Sequence, residues 1–306
     1  MKIRANGIDI EIEDSGPGVE GEDRPAVLLI MGLGMQLVAW PPQLVRALLD
    51  AGYRVIRHDN RDVGLSQKMA ALGSPHLVWQ SLRAGLGLTP RALYSLSDMA
   101  ADSLGVLAAL GIAQAHVVGV SLGGMIAQRL ALAAPQTVLS LTSIMSSSGA
   151  KGLPHAGPEV LRVLLSRPTG RSTQAVVDYY LRLFKVIGSP AFPQPEAELR
   201  ERIQLGVERG FYPAGTQRQM LAVMADVTRA QELGRIRAPT LVLHGKADPL
   251  LPYACAEDTA RRIPGAVLVG IEGMGHDLPP GVVARLLPAL LSHLQNAQSQ
   301  VRTKKS

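Results

Sequence analysis

Ala115-His116-Val117-Val118-Gly119-Val120-Ser121-Leu122-Gly123-Gly124 joins a short apolar run to a helical pattern that continues over 125–134. Strand, sharp turn and helix follow one another without a linker, and the turn carries Gly119, Ser121 and Gly123 in G-x-S-x-G spacing. A serine at such a corner is expected in a strained backbone conformation, its hydroxyl pushed out above the sheet. The residues two before and two after it must be tiny, because strand and helix nearly collide there. Short glycine motifs arise by chance. The bracketing strand and helix make this one a catalytic elbow rather than a glycine-rich turn with an incidental serine.

Outward from the elbow, apolar runs at 26–31, 54–56, 139–145, 240–243 and 266–271 join 115–120 as strands buried on both faces of a parallel sheet. Helical patterns at 42–51, 97–110, 124–134 and 254–263 alternate with them, and 281–297 forms a closing amphipathic helix. That alternation predicts an α/β fold with crossover helices. Residues 1–13 alternate apolar and charged side chains, as an edge hairpin does, and lack the apolar core of a signal peptide. From 146 to 229 the rhythm breaks: helical segments punctuated by prolines stand where strands are expected. The division predicted is a core of 1–145 and 230–297, a helical cap of 146–229, and a disordered tail of 298–306. The connection 66–96, with Trp79, is a second segment that could line the mouth beneath the cap.

The chain has 306 residues, 47% hydrophobic and 18% charged, enough for a large core and unlike a disordered chain. Its net charge is +6, but Arg302, Lys304 and Lys305 in the tail supply half of that excess and no basic face stands out, so nucleic acid is not an expected partner. No uninterrupted apolar stretch reaches ~18 residues, so no membrane span is expected. The single cysteine, Cys255, fits a helix packing position and a reducing compartment, with a cytoplasmic location as the default.

A serine nucleophile needs a base, and the base needs an orienting acid. Where a serine sits on an elbow, the chain order is serine, acid, histidine. Of the histidines after Ser121, His155 lies in the insertion, His293 in the last helix, and His244 ends a strand before any acid-bearing loop. His276, in Glu272-Gly273-Met274-Gly275-His276-Asp277, follows a strand directly and is the candidate base. Asp248, in Gly245-Lys246-Ala247-Asp248-Pro249, follows the preceding strand and is the candidate acid. Its bland reading is an Asx-turn residue. Asp277 is expected to point away, and Asp226 lies in the insertion. Oxyanion donors are expected at the backbone N–H groups of Leu122, at the start of the elbow helix, and Leu33, in the turn Met31-Gly32-Leu33-Gly34. Asp59 and Asp62 flank Arg61 and precede Gly64, which suits a structural turn more than a carboxylate pair. Trp40, Trp79, Phe184, Phe211 and Tyr212 are candidates either for the pocket or for core packing.

These parts, in this order, resemble the α/β-hydrolase fold along nearly the whole chain. The resemblance is carried by Leu29-Ile30-Met31-Gly32-Leu33-Gly34, Arg57-His58-Asp59-Asn60-Arg61-Asp62-Val63-Gly64-Leu65-Ser66, Gly119-Val120-Ser121-Leu122-Gly123-Gly124, Asp248 and Gly275-His276. Within that fold the chain is most similar to the aclacinomycin methylesterase-like carboxylesterases. It departs from many members at Met31, where they carry histidine. The departure leaves a backbone oxyanion hole intact but removes one support for its loop. The expected activity is hydrolysis of small to medium apolar carboxylic esters through an acyl-enzyme, with no metal and no cofactor. A perhydrolase, haloperoxidase or lactonase on the same triad is the alternative enzyme class, and a non-enzymatic ligand receptor the alternative outside catalysis. Serine at the elbow argues against dehalogenase and epoxide hydrolase chemistry. The insertion is expected to supply an apolar roof from Val160, Leu161, Leu164, Tyr180, Leu183, Phe184, Leu221 and Met224, with its arginines on an outer, solvated face.

Overall fold

The apolar runs form the parallel part of an eight-stranded sheet. The computed structural model describes residues 1–18, 24–75, 77–170 and 172–305. Its strands are β1 (Lys2–Ala5), β2 (Ile8–Asp14), β3 (Ala26–Ile30), β4 (Arg54–His58), β5 (Ala115–Val120), β6 (Val138–Ile144), β7 (Thr240–Gly245) and β8 (Val267–Ile271). Their spatial order is β1-β2-β4-β3-β5-β6-β7-β8. β1 and β2 form an antiparallel hairpin whose turn, Asn6-Gly7, has both residues at positive φ, as a tight two-residue hairpin requires. β2 lies antiparallel on β4, and every later pairing is parallel.

The first half of the chain contributes the helices α1 (Pro42–Asp50), α2 (Leu77–Gly85), α3 (Leu96–Ala109) and α4 (Leu122–Ala133). Between β6 and β7 come α5 (Pro158–Leu165), α6 (Thr173–Ile187), α7 (Glu196–Gly210), α8 (Pro213–Ala225) and the short α9 (Arg229–Glu232). The core then closes with α10 (Ala254–Arg262) and α11 (Pro280–Lys305). Alternate residues of one strand serve opposite faces: Leu28 and Ile30 pack with side chains of α3 and α4, Val27 and Leu29 with those of α1 and α11. Two-sided burial explains why these strands read as unbroken apolar runs, each buried Leu or Ile contributing ~2 kcal/mol. β8 is the exception, because it ends the sheet: Val267 is exposed and only Ile271 is fully buried.

Two further expectations change. Residues 298–305 continue α11 where a disordered tail was expected; Gln298 hydrogen-bonds His116 on β5, so the helix stays docked past its buried Ala297. The arginines of the insertion also divide: Arg162, Arg167 and Arg182 are exposed as expected, but others turn inward. Arg218 of α8 is buried against Asp62 at 2.7 Å, Arg209 of α7 reaches Asp59 at 2.6 Å, and Arg229 is buried beside Asp226. For Arg218 and Arg209 the reason is the core turn after β4, whose buried Asp59 and Asp62 need cations to be tolerable away from water. That turn is structural, as its sequence suggested: Asp59 also accepts the N–H groups of Leu37 and Leu65.

Candidate active site

β5 ends at Val120 and α4 begins at Leu122, so Ser121 alone makes the corner. Its φ of 54° and ψ of −117° lie in a region that L-residues rarely occupy, a strain of about 1–3 kcal/mol. The surroundings fix it there: Ser121 N–H donates to the Ile144 carbonyl at 2.9 Å, and the Ser146 hydroxyl donates to the Ser121 carbonyl at 2.7 Å. Any side chain at Gly119 would place its Cβ 2.1 Å from the Gly123 carbonyl oxygen, and one at Gly123 would lie 2.0 Å from that of Ile30. The two glycines flanking the serine are therefore set by contact between strand and helix.

Asp248 and His276 come from the loops after β7 and β8 and meet at the serine. His276 Nε2 is 3.0 Å from Ser121 Oγ, and its Nδ1 is 2.7 Å from Asp248 Oδ2. The His276 N–H donates to the carbonyl of Ile187, the last residue of α6, so the insertion helps hold the histidine loop. Asp248 divides its oxygens. Oδ1 accepts from the N–H groups of Leu250 and Leu251, the Asx-turn of its bland reading, while Oδ2 faces His276. His244, set aside in the sequence as a base, stands beside that carboxylate: its Nε2 lies 3.3 Å from Asp248 Oδ2 and 2.7 Å from the Leu251 carbonyl. Burial alone would raise the Asp248 pKa; the adjacent charge of His276 and hydrogen bonds from both histidines outweigh it and hold the carboxyl well below the usual range. Asp277 points elsewhere, as expected, accepting from the Ser189 hydroxyl, and burial pushes its pKa up.

The loop after β3 brings Gly32 against the serine: a Cβ there would sit 3.4 Å from Ser121 Cβ. Among the described residues neither the Leu33 nor the Leu122 N–H donates a hydrogen bond within the protein, so both remain free for a ligand oxygen. Leu122 opens α4, where the first N–H groups have no intrahelical partner and the helix dipole favours negative charge. The support that Met31 does not give comes from two amides. Asn60 donates to the Met31 carbonyl at 3.0 Å. Gln219 of α8, fully buried, accepts from Gly34 N–H at 2.9 Å and donates to the Arg61 carbonyl at 2.9 Å. Gly34 is glycine for two reasons, a φ of 66° and the approach of Thr216, whose Oγ1 would lie 2.7 Å from a Cβ.

Ser121 and His276 open into a cavity of about 210 Å³ roofed by the insertion. Of the expected roof residues, Leu164, Tyr180, Leu183 and Phe184 line it, joined by Ile187, Ile203, Val207 and Phe211. Leu221 is instead buried in packing, Leu161 faces solvent, and Val160 and Met224 do not line the cavity. The other aromatic candidates separate cleanly. Trp40 is core, Tyr212 lies under the Arg218 guanidinium, and Trp79 on α2 is 60% exposed and does not line this cavity. Cys255 is buried in α10, a packing residue whose thiol pKa burial pushes up. Among the described residues no helix is long and apolar enough to cross a membrane.

Comparison with known proteins places the chain in a family. The chain is 32% identical to rhodomycin D methylesterase DauP of Streptomyces sp. (strain C5), over 91% of this chain and 94% of that protein. It is 31% identical to rhodomycin D methylesterase DnrP of Streptomyces peucetius over the same shares. Among solved structures, a meta-cleavage product hydrolase from Pseudomonas fluorescens superposes with a TM-score of 0.73 at 19% identity, covering 97% of this chain and 98% of that one. The alpha/beta hydrolase fold family matches residues 25–279, and the chain belongs to that family.

Proposed function

We propose that this protein is a serine carboxylesterase that cleaves small to medium, largely apolar esters through an acyl-enzyme. The observation that carries the reading is the hydrogen-bonded line Ser121–His276–Asp248 at the floor of a mostly apolar cavity. His276 Nε2 takes the Ser121 proton as Oγ attacks the ester carbonyl. The oxygen that gains the charge sits between the N–H groups of Leu33 and Leu122, each such donor being worth ~3 kcal/mol in the transition state. His276 returns the proton to the leaving alkoxide, and the alcohol departs. A water, deprotonated by His276, then attacks the acyl-serine; the bond to Ser121 Oγ breaks, His276 gives the proton to Oγ, and the carboxylic acid leaves. Asp248 keeps Nδ1 protonated and stabilises the imidazolium. The helices of 146–229 act as a cap whose apolar side chains exclude water and strengthen the oxyanion hydrogen bonds. Relatives named as methylesterases support the ester as substrate class, and a single buried thiol fits a reducing compartment such as the cytoplasm.

An ester panel graded by acyl length tests this. Turnover is expected to rise with chain length until the cavity is filled and then fall, and Ser121→Ala should lose several orders of magnitude in rate. Turnover that ignores chain length, or that survives in Ser121→Ala, would contradict the proposal.

A further inference from the structure

The cavity lining contains two charged side chains that the hydrolytic machinery does not use, Arg202 of α7 and Asp277. The other lining residues are apolar or glycine, apart from Ser121, His276, Tyr180 and Gln36, whose side-chain amide already binds the Gly206 carbonyl and Arg209. Among the described residues Arg202 makes one hydrogen bond, from Nη2 to Gln194 Oε1 at 3.0 Å, and touches no carboxylate. A guanidinium carries five N–H donors in a rigid fork, so several remain unassigned beside the cavity. Burial lowers its pKa, and Asp277 and Glu198 pull the other way only at a distance. A substrate that filled this cavity with hydrocarbon alone would strip water from those donors and give nothing back, a cost that falls on binding.

The charge balance says what kind of acceptor fits. Asp277 stands in the same lining, with Ser189 engaging its Oδ1, and supplies the guanidinium's counter-charge without contact. A substrate carboxylate would add a second anion around one cation in a dry cavity, whereas a neutral keto or hydroxyl oxygen takes the free donors without that penalty. We propose that Arg202 is a specificity-determining residue that hydrogen-bonds a neutral oxygen carried by the substrate beyond its ester group. The preferred esters are then largely apolar ones bearing a keto or hydroxyl oxygen, not plain alkanoates. This rests on the ester-hydrolase reading and narrows it.

The test compares three matched methyl esters of equal length: an alkanoate, its keto analogue, and the monomethyl ester of the dicarboxylic acid. In the unaltered protein kcat/KM for the keto ester should exceed that for the alkanoate by about tenfold, the size expected of a hydrogen bond to a charged group. Arg202→Met should bring that ratio close to one, chiefly through KM for the keto ester, and Arg202→Lys should keep part of it. Equilibrium binding of the same esters to Ser121→Ala, with Arg202 intact, gives a readout independent of turnover and of the folding of an Arg202 variant; the keto ester should again bind about tenfold tighter. A ratio near one in the unaltered protein, a ratio unchanged by Arg202→Met, or a preference for the carboxylate ester would each overturn the proposal. Absence of turnover with every ester would instead overturn the hydrolase reading, with the binding ratio still deciding the role of Arg202.

Discussion

Asp248 shows how one side chain holds two jobs. Its Oδ1 ties down the Leu250 and Leu251 amides while Oδ2 orients His276, with His244 on the same oxygen. An amide at this position would keep the turn but lose the negative charge opposite the imidazolium and reverse one donor. Asp248→Asn is therefore expected to lower kcat by about 10⁴. Asp277→Asn should cost no more than about tenfold, since that carboxylate contacts Ser189 and not His276 Nδ1. Steady-state kinetics of the two variants on one ester decides it; equal losses, or a larger one at Asp277, would move the acid. The pairing was legible because strand order alone places the two loops side by side. The part played by His244 was not, since nothing in a sequence tells a buried strand-end histidine from a supporting one.

At the scale of elements, the loop after β3 is held from both sides, by Asn60 in the turn after β4 and by Gln219 in α8. Loss of the Gln219 side chain frees Gly34 N–H and the Arg61 carbonyl together and loosens the loop that carries Leu33. Gln219→Ala should lower kcat by roughly 10- to 100-fold, less than removal of an oxyanion donor itself, and change KM little. A variant with normal kcat and raised KM would assign Gln219 to substrate binding instead. The elbow, the glycine turn and the histidine loop were readable because each is encoded within about ten consecutive residues. Gln219 and Gly34 lie 185 residues apart, and Arg202 and Asp277 come from different elements, so no local pattern announces either pair. The arginines of the insertion misled for a related reason. Helical spacing says which residues share a face, but the buried Asp59 and Asp62 that draw Arg209 and Arg218 inward sit in a distant turn.

The whole molecule carries a pH dependence that originates away from the site. His116, on β5 in the middle of the sheet, is buried between Ser140 and Gln298, and burial lowers its pKa to about 4. Between about pH 6.5 and that value the unfolded chain binds a proton at this position and the folded one does not. Stability is therefore fully present above about 6.5 and is lost as pH falls toward 4, by up to ~3 kcal/mol from this group alone. His58, buried on β4 with its pKa also lowered by burial, acts in the same direction. Urea unfolding across pH 4 to 7 should show the loss, and His116→Gln should flatten the slope; an unchanged slope would place the sensitivity elsewhere. The sheet that buries these histidines was readable from its apolar runs, whereas β8 was overread, since its apolar run ends the sheet and leaves Val267 exposed and the next three residues only partly buried.

The proposed reaction passes through covalent acylation of Ser121. Rapid acid quench of the protein with an activated short-chain ester, followed by mass spectrometry of its peptides, reads that event directly. The acyl group should be found on the peptide containing Ser121, one per chain, accumulating before steady state and absent in Ser121→Ala. Turnover with no acylated Ser121 peptide, or an acyl group on another residue that persists in Ser121→Ala, would contradict it.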